Sequence, residues 1–301
     1  MKRVGKLLIN ADDLGYNEER DRGIFQCFYR DNSITSASIL ANGSTSQTAI
    51  VQALRIGIPV GLHFNITEGH PLVEPSKIPS LVQKGMFLGK EKFVKSARSS
   101  YINPLHVKQE LKAQINWFKR VSGSYPIRVD GHQHAHIMPL VRDAFCEVLN
   151  EYGITQTRLP LEEDIVKKDL GLQNSFFKYV DECSKDCLTT FLKYDIKHTD
   201  KFIGSSTMGI NMSFESLRNL LLKAFTEESL NTKCELMVHP GFRCAGEEGG
   251  CGQGPDDFSR SKYREHEMAV LRNQRFKKFL EDQNIDMVSI KDICEESPSY
   301  K

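Results

Sequence analysis

Two patterns alternate along the chain. Short runs of apolar and β-branched residues, closed by glycine, proline or polar turns, are followed by stretches whose apolar residues recur at helical spacing. The first kind reads as buried strands and the second as amphipathic helices. The runs predict strands over Lys6–Ala11, Thr35–Leu40, Val60–Ile66, Ile127–Asp130, Thr155–Leu159, Leu236–His239 and Met287–Ile290. The helical spacing predicts helices over Asp21–Asp31, Thr45–Leu54, Pro104–Val121, Leu140–Tyr152, Phe214–Leu230 and Tyr263–Asn284. Within Pro104–Val121, Leu105, Val107, Leu111, Ile115 and Phe118 fall on one stripe, with lysine and glutamine opposite. Strands alternating with helices of this length indicate βαβ units and a largely parallel α/β sheet.

The irregular parts set the organisation. Val73–Ser100 is rich in proline, lysine, glycine and serine and reads as a long excursion from the sheet. Residues 161–212 are the least regular, with a charged stretch, a candidate strand Phe191–Ile196 and a turn-like Ile203–Met208. Gly241–Gly254 holds six glycines among fourteen residues, too many for regular structure. No repeat, low-complexity tract or interdomain linker interrupts the pattern. The simplest reading is a single (β/α) barrel-like domain over residues 1–301 with inserted loops, since one such barrel takes ~250 residues or more.

Composition excludes classes. Lys plus Arg is 40 and Asp plus Glu is 39, a net charge of +1, so nothing marks a nucleic acid or an anionic membrane as a partner. No apolar stretch reaches the ~18 residues of a membrane span, and the start lacks the ~7–15-residue apolar core of a signal peptide. The eight cysteines are scattered, with no CxxC pair, and read as reduced thiols of a cytoplasmic protein. A homo-oligomer is compatible with all of this.

The chemistry gathers where predicted strands end, the edge at which parallel α/β folds place their sites. Asp12 and Asp13 close the first strand; buried carboxylates are costly unless a cation compensates, and a turn at Leu14-Gly15 is needed for them to converge. His63 stands between apolar residues in Val60-Gly61-Leu62-His63-Phe64-Asn65, near a strand end. His132, His134 and His136 follow Asp130-Gly131 at period two; extended, the outer pair would lie ~13 Å apart, so one or two bind an ion while the others line the site. His239 ends the strand before Pro240-Gly241, and an imidazole suits a general acid near neutral pH. Together these strand ends describe a divalent-metal hydrolase site, with His132 and His134 equal candidates on geometry.

At these residues the chain resembles the YdjC-like carbohydrate deacetylase family, also described as chitooligosaccharide deacetylases. The matching elements are ADDLG at 11–15, TSAS at 35–38 before Ala41-Asn42-Gly43, GLHFN at 61–65, DGHQHAH at 130–136, TRLP at 157–160 and HPG at 239–241. Asp257-Phe258 and Arg264-Glu265 look like the family's C-terminal helix entry, whereas loop 242–254 has no match. The resemblance implies a (β/α) barrel-like fold and hydrolysis of the N-acetyl group of an acetylated amino sugar or chitooligosaccharide, releasing acetate. It implies Asp12 as general base, Asp13, His63 and His132 as metal ligands, and His239 as the acid that protonates the amine. Arg158 orients the base by pairing with a carboxylate, or forms a surface ion pair. Asn65, Glu68 and loop 242–254 are candidate substrate contacts. The resemblance implies Mg2+, while two imidazoles and one carboxylate suit Zn2+ on ligand softness. A metal-dependent phosphoesterase and a non-catalytic sugar-binding protein are the alternatives on the same fold.

Overall fold

The computed structural model describes residues 5–168, 170–171, 174–226 and 231–295. The strands are β1 (Gly5–Leu14), β2 (Ser36–Leu40), β3 (Val60–Phe64), β4 (Val82–Gln83), β5 (Met86–Phe87), β6 (Val129–Gly131), β7 (Lys201–Ile203), β8 (Thr232–Val238) and β9 (Ile285–Val288). The main sheet runs β6-β3-β2-β1-β8-β7, with β9 beside the first half of β1, and every one of its pairings is parallel. The helices are α1 (Glu18–Tyr29), α2 (Ser46–Ile56), α3 (Lys90–Arg98), α4 (Pro104–Ser122), α5 (Arg142–Glu151), α6 (Asn174–Lys193), α7 (Phe214–Ala224), α8 (Asp257–Arg260), α9 (Tyr263–Leu271), α10 (Gln274–Asp282) and α11 (Ile290–Glu295).

β1 and β2 are buried along almost their whole length, which is why they read as continuous apolar runs and not as alternating ones. α4 illustrates the helices. Asn103 caps its start by accepting from the Leu105 N–H, Pro104 fills the first turn, and Gly123 ends it at φ +87. Its Val107, Leu111, Ile115 and Phe118 are buried, but Leu105 is exposed because it lies in the first turn, off the inward stripe. One contiguous apolar core extends from Leu7 in β1 to Ile285 in β9.

Several predicted elements change. Thr155–Leu159 is not a strand: Gln156 makes a single parallel bridge to Lys197, and its carbonyl accepts from the Val129 N–H of β6. These residues prolong the sheet beyond β6 by isolated bonds, so their β-branched pattern was real but never forms a ladder. Phe191–Ile196 is the end of α6 and the turn after it, since Val180, Cys183, Cys187 and Phe191 point inward at helical spacing. Tyr263–Asn284 splits into α9 and α10 because the Asn273 side chain caps the Arg275 N–H and starts a new helix. α7 ends at Ala224, and the last residues of the predicted Phe214–Leu230 lie outside the described residues. The excursion 73–100 folds into the hairpin β4–β5 and α3. Among the described residues no helix is long and apolar enough to cross a membrane.

Register brings strand ends together. Ala11 pairs with Val238, so Asp12 and His239 follow side by side; His63 pairs with Leu40 on one side and Asp130 on the other.

Candidate active site

Between its paired positions β1 carries one residue more than β2, because Ala11 faces Ala37 while Leu14 faces Ile39. This bulge coincides with Asp13, whose φ of +63 lies in the left-handed region. Adjacent residues of a regular strand point to opposite faces, but here both carboxylates approach His63. Its Nε2 lies 3.8 Å from Asp12 Oδ2 and 3.3 Å from Asp13 Oδ1. The convergence therefore arises inside the strand, at Asp13, and not at the expected turn Leu14-Gly15.

Asp12 is gripped by Arg158, whose Nη1 and Nη2 donate to its two oxygens at 2.6 and 2.7 Å. The same guanidinium donates to Glu235 through Nε at 2.9 Å, and Glu235 also accepts from Arg128 at 2.6 Å. Arg158 is fully buried, so its pairing is not a surface one. Burial pushes the Asp12 carboxyl up, but Arg158 and His63 outweigh that and hold it below the usual carboxylate range.

Asp13 divides its oxygens. Oδ2 takes Arg20 Nη1 at 2.9 Å and Arg264 Nη2 at 3.3 Å, leaving Oδ1 facing His132 Nδ1 at 2.9 Å and His63 Nε2. One donor atom each from Asp13, His63 and His132 lies within 4.8 Å of the others. The remaining nitrogen of each imidazole meets a carboxylate: His63 Nδ1 with Asp130 Oδ1 at 2.6 Å, His132 Nε2 with Glu68 Oε2 at 3.1 Å. That arrangement fixes ring orientation at metal sites. Burial opposes a proton on either ring, yet Asp12 and Asp130 push the His63 pKa up to about 10, and Asp13 with Glu68 pushes that of His132 up to about 9. The cluster thus demands positive charge at its centre, and its donor set fits a divalent cation. Asp12, His63 and Asp130 form a second convergent group, but Arg158 already supplies its cation.

The three spaced histidines are not extended. They lie on a short helical turn, His132–Ile137, in which Gln133 and His134 have φ of +51 and +56. His132 alone of the three reaches Asp13. His134 lines the cavity against the Phe202 ring, and burial, then Arg158, holds it neutral. His136 turns away: its Nε2 meets the Arg158 carbonyl at 2.8 Å, and its ring packs on Phe145. A Cβ at residue 131 would stand 2.4 Å from His136 Nδ1, which is why glycine precedes the turn.

A cavity of about 250 Å³ opens over the cluster, lined by Asp12, Asp13, His63, His132, His134 and His239. Phe176, Phe177, Met208, Met237 and Phe258 give it apolar walls. The His239 ring packs edge-on to Phe258, and its backbone N–H donates to Glu267 Oε2 at 2.6 Å. Burial, then Arg264, pushes its pKa down to about 3, against the pull of Asp12 and Asp13. Asn65 does not line this cavity. Its Oδ1 accepts from the Thr67 and Glu68 N–H groups and its Nδ2 donates to the Glu68 carbonyl, so it shapes the loop after β3.

The profile of the YdjC-like protein family matches residues 6–282 of this chain. The chain belongs to the YdjC-like family. Among its relatives, a Xenopus laevis protein named carbohydrate deacetylase is 35% identical, covering 96% of this chain and 98% of its own. A human protein of the same name is 34% identical over 97% and 92%. A Serratia marcescens chitooligosaccharide deacetylase is 26% identical over 74% and 83%. A solved structure from Enterococcus faecalis V583 superposes with a TM-score of 0.73 at 22% identity, covering 96% of this chain and 98% of that one, so the fold is shared. For this YdjC-like chain, the motifs gave no role at the site to Arg20, Arg128, Glu235 or Arg264. Each is buried; Arg264 reaches Asp13 and Arg128 reaches Glu235 across long sequence separations, whereas Arg20 lies only 7 residues from Asp13.

Proposed function

We propose that this chain is a single-domain, metal-dependent carbohydrate deacetylase that hydrolyses the N-acetyl group of an amino sugar or chitooligosaccharide and releases acetate. The observation that carries the reading is the convergence of Asp13, His63 and His132 beside an Asp12 carboxylate that Arg158 keeps ionised. The deacetylase names of the relatives and their coverage support the substrate class.

When bound by Asp13 Oδ1, His63 Nε2 and His132 Nδ1, a divalent ion would polarise the acetyl carbonyl and make water more acidic. Asp12 accepts a proton from the attacking water as its oxygen bonds to the acetyl carbon. Arg158 holds that carboxylate in one orientation through two hydrogen bonds, so Asp12 needs no reorganisation to act. The carbon–nitrogen bond then breaks as the nitrogen gains a proton, leaving a free amine and acetate. We assign this transfer to His239, which lines the cavity and which burial, then Arg264, keeps in its neutral form. It serves as a carrier that takes up the proton Asp12 drew from water and passes it to nitrogen, which returns Asp12 to its carboxylate form, and not as a stored acid. Phe176, Phe177 and Phe258 offer apolar faces to the sugar ring. The donor set suits zinc by ligand softness, the family resemblance implies magnesium, and metal analysis of the purified protein decides between them. We read the eight scattered cysteines, none in a CxxC pair, as those of a cytoplasmic protein.

The test is acetate release from N-acetylated mono- and oligosaccharides, with and without chelator and with Mg2+ or Zn2+ restored. Acetate release that chelator abolishes and metal restores is expected. Hydrolysis of a phosphodiester with no acetate from any sugar, or sugar binding without turnover, would overturn the assignment.

A further inference from the structure

The glycine-rich loop 242–254 has no counterpart in the motifs, yet it packs behind a metal-ligating histidine. Glu68 Oε2 meets His132 Nε2 at 3.1 Å, and Glu68 Oε1 accepts from the Tyr16 hydroxyl at 2.8 Å. The Tyr16 oxygen accepts in turn from the Asp256 N–H at 3.0 Å, so its single proton must go to Glu68. The Glu68 backbone is fixed too: its N–H donates to Asn65 Oδ1, and its carbonyl accepts from Asn42 and Asn65. Loop 242–254 closes over this assembly. The Gly250 N–H donates to the Tyr16 carbonyl at 2.8 Å, the His70 N–H donates to the Cys251 carbonyl at 3.0 Å, and Asn65 Nδ2 touches Cys251 Sγ. The seat is tight, because a Cβ on Gly69, at φ +77, would stand 1.8 Å from the Cys251 carbonyl oxygen.

We infer that Glu68 is a positioning residue for His132, and that loop 242–254 braces it through Tyr16 and Cys251. Glu68 accepts the His132 Nε2 proton, which leaves the Nδ1 lone pair directed at Asp13 Oδ1. Asp130 performs the mirror task for His63, where Nδ1 is the donor and Nε2 the free nitrogen. This inference rests on the metal-dependent reading proposed above.

Glu68→Gln tests it sharply. Tyr16 holds the amide oxygen, so the amide NH2 faces His132 Nε2, and the imidazole proton must move to Nδ1, the nitrogen meant for the metal. Zn2+ affinity of the chelator-stripped full chain, read by competition with a chromophoric chelator, should fall ~10–100-fold in this variant. The visible absorption bands of bound Co2+ should shift, a readout that a change in stability alone would not move. Tyr16→Phe should weaken Zn2+ less, and Gly69→Ala should weaken it although every donor atom is retained. Wild-type protein that binds neither ion overturns the metal reading and this inference together. Wild-type protein that binds, with Glu68→Gln matching it in affinity and Co2+ spectrum, overturns the role of Glu68 alone. A Gly69→Ala variant with unchanged affinity removes the loop from it.

Discussion

Replacing Arg158 by methionine keeps the length of the side chain and removes its charge and all its donors. The guanidinium has no exposed surface, and in the wild type it makes two hydrogen bonds to Asp12 and further contacts to Glu235 and Asp130. Removing one partner of a buried ion pair costs ~3–5 kcal/mol, because the other charge is left uncompensated. At ~2–4 °C per kcal/mol the melting temperature should fall on the order of 10 °C. Two measurements separate stability from catalysis. Calorimetry or circular dichroism reads the first, and the pH profile of kcat/KM reads the second. Asp12 is held low by Arg158 against its burial, so losing Arg158 raises its pKa and moves the acid limb of the profile to higher pH. Below that limb the base is protonated and inactive. At neutral pH, kcat/KM should drop by ~100-fold or more, the usual contribution of a positioned base. Glu235 keeps Arg128 as a partner in this variant, so the uncompensated charge falls mainly on Asp12. A variant with wild-type melting temperature and an unmoved acid limb would refute the claim that Arg158 keeps Asp12 ionised.

Three further outcomes follow from the site. Asp12→Asn should retain bound metal while acetate release falls by ~10²–10⁴-fold; a variant of undiminished activity would remove Asp12 as base. His239→Ala should lower kcat by a similar ~10²–10⁴-fold with little change in KM, and equal losses on an activated acetyl ester, whose leaving group needs no proton, would count against proton delivery. In the metal-free protein, His63 and His132 carry pKa values raised to about 10 and about 9, so their stabilisation is complete below the ordinary histidine pKa of ~6.5 and is lost as pH rises through the raised values. The melting temperature of metal-free protein should therefore decline from neutral pH toward pH ~10, and a flat profile would contradict the proposed charge state.

The parallel sheet was legible because buried strands announce themselves as apolar runs, with His63 near the end of one and His239 directly after another. Geometry at Asp13, Gln133 and His134 was not legible. All three adopt left-handed backbone conformations without being glycine, which no local preference signals. The spacing of His132, His134 and His136 suggested a common face, but that turn separates them. Thr155–Leu159 shows the opposite error, a β-branched run whose partners are single bridges. The buried ion network was invisible for another reason: Arg264 reaches Asp13 across 251 positions and Arg128 reaches Glu235 across 107, and such pairs leave no trace in a local window. Asn65 was marked by its motif, yet its side chain serves the loop after β3 and not the cavity.

The extra residue in β1 bears on any attempt to transplant this chemistry. Copying an aspartate pair and two histidines onto another parallel barrel would reproduce the letters but not the backbone that aims them. On a strand of regular pleat the second carboxylate would point through the sheet, away from the imidazoles. A scaffold chosen as host therefore needs an irregular first strand before it needs any of the side chains, and a designer who straightened that strand for stability would pull Asp13 away from His63 and His132 without replacing any of them.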